Sequence, residues 1–109
     1  MDVIEQIKST LAENPVILFM KGSPEFPQCG FSMRTAEALK ACNVEFSYVD
    51  ILASPEIRTN LPRVSNWPTF PQVFINGELI GGCDIVLDLY QKGELQTMLQ
   101  KAGVAGKSD

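Results

Sequence analysis

Five consecutive uncharged apolar residues, Val16-Ile17-Leu18-Phe19-Met20, constrain this chain more than any other feature. The run is too short for a helix, far short of a membrane span, and apolar without alternation. It therefore reads as a central strand buried on both faces. A sheet built around such a strand must be covered on each side, and the flanking sequence supplies the covers. Behind Asp2 as a cap, Val3, Ile4, Ile7 and Leu11 share one helical face that ends near Asn14-Pro15. From Cys29 to Cys42 a second helix places Phe31, Thr35, Ala38, Leu39 and Cys42 on one face and Arg34, Glu37 and Lys40 on the other. Phe46 to Ile51 follows as a strand, so strand, helix and strand form a right-handed βαβ unit with parallel strands. Ser54-Pro55-Glu56 opens a helix running to about Leu61, with Pro62 near its end. Gln72 to Ile75 and Glu78 to Ile80 flank Asn76-Gly77, a hairpin signal, before Gly81-Gly82 breaks the pattern. Asp84 to Tyr90 and Glu94 to Lys101 are two further helical stretches. The expected class is α/β, a sandwich around four strands.

Length and composition limit what such a sandwich does. The 109 residues suit one domain, placed at 1–102, with a flexible tail at 103–109. A hydrophobic share of 45% excludes a disordered chain. The net charge of −4, with Lys and Arg spread singly, leaves no footprint for nucleic acid or an anionic membrane. The acidic, amphipathic start resembles neither a signal peptide nor an Arg-rich transit peptide, which points to the cytoplasm. Three cysteines without a C-x-x-C pair give neither a disulfide framework nor a zinc knuckle. The absence of histidine removes Ser-His-Asp and Cys-His catalysis, His-ligated zinc and Rieske-type centres.

Cys29 is the candidate reactive group. It follows the Pro- and Gly-containing loop Lys21 to Gln28 and precedes a helix, where unpaired N–H groups and the helix dipole favour a thiolate. Lys21 at the strand end adds positive charge. Ser32 stands where a redox C-x-x-C would carry its second thiol, and a hydroxyl cannot close a disulfide. Any redox cycle therefore needs a thiol from elsewhere.

Four ordered motifs, Lys21-Gly22-Ser23-Pro24, Cys29-Gly30-Phe31-Ser32, Trp67-Pro68-Thr69-Phe70-Pro71-Gln72 and Gly81-Gly82-Cys83-Asp84, together resemble the monothiol, CGFS-type glutaredoxins over nearly the whole chain. The resemblance implies a thioredoxin-like fold with a four-stranded mixed sheet flanked by helices. Its strands would lie side by side in the order 46–50, 16–20, 72–75, 78–80. It also implies a glutathione site made by Lys21, Cys29, Phe31, Arg58, Thr69, Phe70, Pro71, Gly82, Cys83 and Asp84. Lys21 and Arg58 would meet the glycyl carboxylate, and Phe70 would lend its backbone beside a cis Pro71. The N–H groups from Gly82 onward would hold the γ-glutamyl carboxylate while Asp84 meets the ammonium. Read without the resemblance, Pro71 is a strand-edge proline and Asp84 a helix N-cap.

The resemblance further implies a [2Fe–2S] cluster bridging two protomers, with Cys29 of each as a ligand. Such a cluster takes four ligands, normally thiolates, and one chain with one well-placed cysteine supplies too few. Two Cys29 thiolates and two glutathione thiols would complete the set. A cluster held partly by exchangeable thiols is labile, which suits a carrier handing clusters to apo iron–sulfur proteins, and a BolA-like partner is implied as well. The same site also suits a glutathione-dependent thiol–disulfide oxidoreductase with Cys29 as nucleophile. Cys42 reads as structural. Cys83 has two readings, a packed side chain or a thiol that resolves oxidised Cys29. Trp67 is either loop packing or a wall of the site, and Ser32 either bonds the Cys29 sulfur or caps its helix.

Overall fold

The structure, a computed structural model, describes residues 2–103, so the expected tail lies outside the described residues apart from Gly103. The chain runs α1 (Val3–Glu13), β1 (Val16–Met20), α2 (Gly30–Ala41), β2 (Ser47–Asp50), α3 (Pro55–Ser65), β3 (Gln72–Ile75), β4 (Glu78–Gly81), α4 (Cys83–Gln91) and α5 (Glu94–Lys101). The sheet order is β2-β1-β3-β4, with β1 parallel to β2 and antiparallel to β3, and β3 antiparallel to β4. Asn76 and Gly77 both take positive φ, 50° and 81°, which is the two-residue turn that matches the twist of the β3–β4 strands.

β1 is buried at all five positions because it feeds two cores. Its alternation sends Val16, Leu18 and Met20 to one face, where Val73, Ile75, Leu39, Val86, Leu95 and Leu99 join them. Ile17 and Phe19 point to the other face with Ile7, Leu11, Ile51, Leu61 and Phe74. There Phe19 and Phe74 meet edge to face at 5.6 Å between ring centres. Helices α1 and α3 therefore cover one side of the sheet, and α2, α4 and α5 the other.

The structure corrects three expectations. α3 continues a full turn beyond Leu61, through Pro62, and closes at Asn66 with φ 55°. Pro62 removes only the hydrogen bond to the Arg58 carbonyl, and the extra turn lays Val64 on the same core as Ile57 and Leu61. Phe31 does not share the buried face of α2. It is 53% exposed on the cleft side of the first turn, and Arg34 stacks over its ring at 5.2 Å. Asp84 is not an N-cap: α4 starts one residue earlier, with Gly82 as cap and Asp84 in the first turn.

Candidate functional site

An open cleft of about 700 Å³ lies where the end of β1, the start of α2, α3, the segment before β3 and the start of α4 converge. Its lining comprises Lys21, Cys29, Phe31, Arg58, Thr69, Phe70, Pro71, Gly82, Cys83 and Asp84, so every residue expected at the site from the sequence faces one cavity. Trp67, Pro68 and Ile85 complete the walls. The expectation had Trp67 as either packing or wall, and it is both. A Cβ on Gly82 would lie 3.4 Å from the indole Nε1 and 3.2 Å from the Pro71 carbonyl oxygen. Pro68 and Ile85 escaped the sequence reading. For Ile85 a signal existed in Gly81, whose missing side chain leaves room that a Cβ would contest at 2.9 Å from Ile85.

Cys29 occupies the N-cap position of α2 in extended backbone and is half-buried. It makes no short cap hydrogen bond of the kind an oxygen makes, yet its pKa lies below the ordinary thiol value. The Ser32 N–H facing the sulfur is the largest cause; the Phe31 N–H, the Ser32 hydroxyl and the Lys21 charge add to it, against an opposing effect of partial burial. Ser32 is fully buried and takes the Lys21 N–H on its Oγ at 3.1 Å. It stands at the third residue of the helix, so it is not the cap of α2, a position that Cys29 holds. Lys21 and Arg58 form no ion pair among the described residues, where the pairs are Lys40–Glu25 and Lys92–Asp88. Both cations therefore stand ready for an anionic ligand.

Across the cleft, the Phe70–Pro71 peptide bond is cis at the entry to β3. Gln72, fully buried, fixes the preceding segment by donating from Nε2 to the carbonyls of Trp67 at 2.9 Å and Thr69 at 3.1 Å. The N-terminus of α4 closes the far end, with Asp84 exposed in its first turn. The cleft thus offers two cations together with helix N–H groups and a carboxylate.

The other thiols differ. Cys83 is buried, 7% exposed, at the first position of α4. Cys42 packs against the core at the end of α2, and burial pushes its thiol pKa up. Among the described residues no group of three or more His, Cys, Asp or Glu side chains is placed to hold a metal ion. The donor set is one accessible thiolate, so a thiophilic cluster fits here only with ligands from outside the chain.

A mixed sheet in this order, a low-pKa cysteine at the start of the first crossover helix and a cis-proline ahead of β3 define the thioredoxin-like class of thiol proteins. Within that class the family model for glutaredoxin matches residues 16–80. The chain is 58% identical to Glutaredoxin 4 of Haemophilus ducreyi over 93% of its length and 94% of the relative's. It is 57% identical to Glutaredoxin 4 of Pasteurella multocida over 98% of its length and 96% of the relative's. The solution structure of reduced poplar apo GrxS14 superposes with a TM-score of 0.81 at 44% identity, covering 93% of each chain. The chain belongs to the glutaredoxin family and, with Ser32 in place of a second active-site cysteine, to its monothiol type.

Proposed function

We propose that this monothiol glutaredoxin binds glutathione in the cleft and carries a [2Fe–2S] cluster as cargo, bridged between two protomers, for delivery to apo iron–sulfur proteins in the cytoplasm. The observation that carries this reading is the isolation of the Cys29 sulfur. It is accessible at the rim of a cleft open to solvent, and the side chain three residues on is a buried hydroxyl engaged by Lys21. A thiolate without a partner in its own chain suits ligation shared with a second protomer better than intramolecular disulfide chemistry.

Glutathione is an extended anion with carboxylates at both ends and one ammonium. Lys21 and Arg58 suit the glycyl carboxylate, the α4 N-terminus suits the γ-glutamyl carboxylate, and Asp84 suits the ammonium. A tripeptide laid this way along Phe70 brings its own thiol towards Cys29. Two such pairs, one per protomer, supply the thiolates a cluster requires. The bridged homodimer, the role in iron homeostasis and a BolA-like partner competing for the open face of Cys29 belong to this same reading.

Anaerobic reconstitution with iron, sulfide and glutathione tests it. Cys29→Ala stays colourless, whereas Cys42→Ala and Cys83→Ala still take up cluster. A coloured Cys29→Ala protein, or loss of colour in a folded Cys42→Ala protein, contradicts the ligand assignment.

The low pKa of Cys29 also favours a second reading, glutathione-dependent thiol transfer. The Cys29 thiolate attacks the glutathione sulfur of a mixed disulfide and the released thiolate takes a proton. A second glutathione thiolate then attacks the Cys29-bound sulfur, yielding glutathione disulfide and restoring Cys29. Weak turnover of a glutathione mixed disulfide beside that of dithiol relatives is expected where cargo transport is the main task, and comparable turnover favours this second reading.

A further inference from the structure

The loop between β1 and α2 is tied down by a residue far from it in sequence. Asp50, the last residue of β2, accepts the N–H of Gly22 on Oδ1 at 2.9 Å, 28 positions away, and the N–H of Leu52 on the same oxygen at 2.9 Å. The bond to Leu52 is a local turn that any Asx residue at a strand end can make. The bond to Gly22 is not local. Gly22 sits at φ +90°, and a Cβ there would fall 2.5 Å from the Phe26 carbonyl oxygen, so the peptide that Asp50 grips is the tightest point of the loop.

The carbonyl of that same peptide unit, which belongs to Lys21, carries the grip to the site. The Lys21 carbonyl accepts the Gln28 N–H at 2.9 Å, which sets the residue just before Cys29. The Lys21 N–H donates to Ser32 Oγ at 3.1 Å. A serine hydroxyl has one proton to donate. Oγ accepts from Lys21 and keeps that proton free for the Cys29 sulfur, three residues earlier at the N-cap of the same helix, a contact in line with the lowered thiol pKa.

We propose that Asp50 is a positioning residue for Cys29, acting through the Gly22 and Lys21 peptides on Ser32 rather than through its own charge. The inference rests on the reading of Cys29 as the reactive thiol. Charge and position predict opposite results. A carboxylate acting through its charge would disfavour the thiolate, so its removal would leave the reactions of Cys29 unchanged or faster. Removing the acceptor that holds Gly22 lets the loop shift, leaves the Ser32 hydroxyl undirected and slows them.

The experiment measures the rate at which iodoacetamide alkylates Cys29 at neutral pH, followed by peptide mapping so that Cys42 and Cys83 are read separately. Asp50→Asn keeps an acceptor of the same shape without the charge and is expected to react at the unaltered rate. Asp50→Ala is expected to be slower by roughly tenfold, the size of one lost hydrogen bond. Combining Asp50→Ala with Ser32→Ala is expected to be no slower than Ser32→Ala alone, since both changes break the same connection. If Asp50→Ala does not fold, Asp50→Ser, too short to reach both N–H groups, takes its place in the comparison. Equal or faster alkylation in folded Asp50→Ala, or additive losses in the double variant, overturns the proposal. If Cys29 of the unaltered chain reacts no faster than Cys42, the reading of the site itself fails instead.

Discussion

Cys29 and Cys42 bracket the same helix and are pushed in opposite directions, the first down by N–H groups and a hydroxyl, the second up by burial. Lowering a thiol pKa enlarges the thiolate fraction at neutral pH, so alkylation of Cys29 persists to lower pH than for a free thiol, while Cys42 reacts only at higher pH. Ser32→Ala removes a hydroxyl that helps to lower the thiol pKa and is expected to shift the Cys29 rate profile to higher pH, read from alkylation rates across about pH 5 to 9. A profile that does not move would show that the hydroxyl plays no part. The place of Cys29 at the start of a helix, with Lys21 nearby, was legible in the sequence because a loop ahead of a helix and a neighbouring lysine are local signals. The task of Ser32 was not, since its partner Lys21 lies eleven positions away and only the fold joins them. Asp50 gave no signal for the same reason: its grip on Gly22 spans 28 positions.

Elements were legible where pattern and packing agree. β1 is the clearest, and its cost is testable. Leu18 is fully buried in the larger core, so Leu18→Ala is expected to destabilise the chain by about 3 to 5 kcal/mol, measured by urea unfolding. Gly22→Ala tests the loop. It forces a side chain into positive φ and against the Phe26 carbonyl, and is expected to cost about 1 to 3 kcal/mol in the same assay. A loss well below these values would mean that the strand or the loop relaxes around the change. The boundaries that sequence misjudged share one cause. Beyond Pro62 and at Cys83, packing decided what local rules left open: Val64 had a core to reach, and Gly82 rather than Asp84 took the cap. Phe31 failed in the opposite sense, because helical periodicity places a residue on a face without saying whether core or an open cleft lies against it.

At the scale of the molecule, the fold gathers charges that the sequence keeps apart. Lys21 follows β1, Arg58 lies on α3 and Asp84 on α4, yet all line one cleft in a chain of net charge −4. The cations' approach to one cavity was legible only through motif resemblance, since spacing alone cannot bring β1 and α3 together. Lys21→Gln and Arg58→Gln are each expected to weaken glutathione binding about tenfold, with binding in the unaltered chain falling as salt rises. Calorimetric titration checks both, and an unchanged affinity in the double variant would remove the carboxylate from that end of the cleft. The absence of a metal-holding cluster among the described residues makes a second protomer and free glutathione integral to the proposed cargo state. That claim is tested most directly by size-exclusion chromatography with visible absorption on protein purified without oxygen, with and without glutathione. The account predicts a coloured dimer that forms only with glutathione and reverts in air to a colourless monomer. A colourless monomer under every condition would contradict it and leave thiol transfer as the function of the cleft.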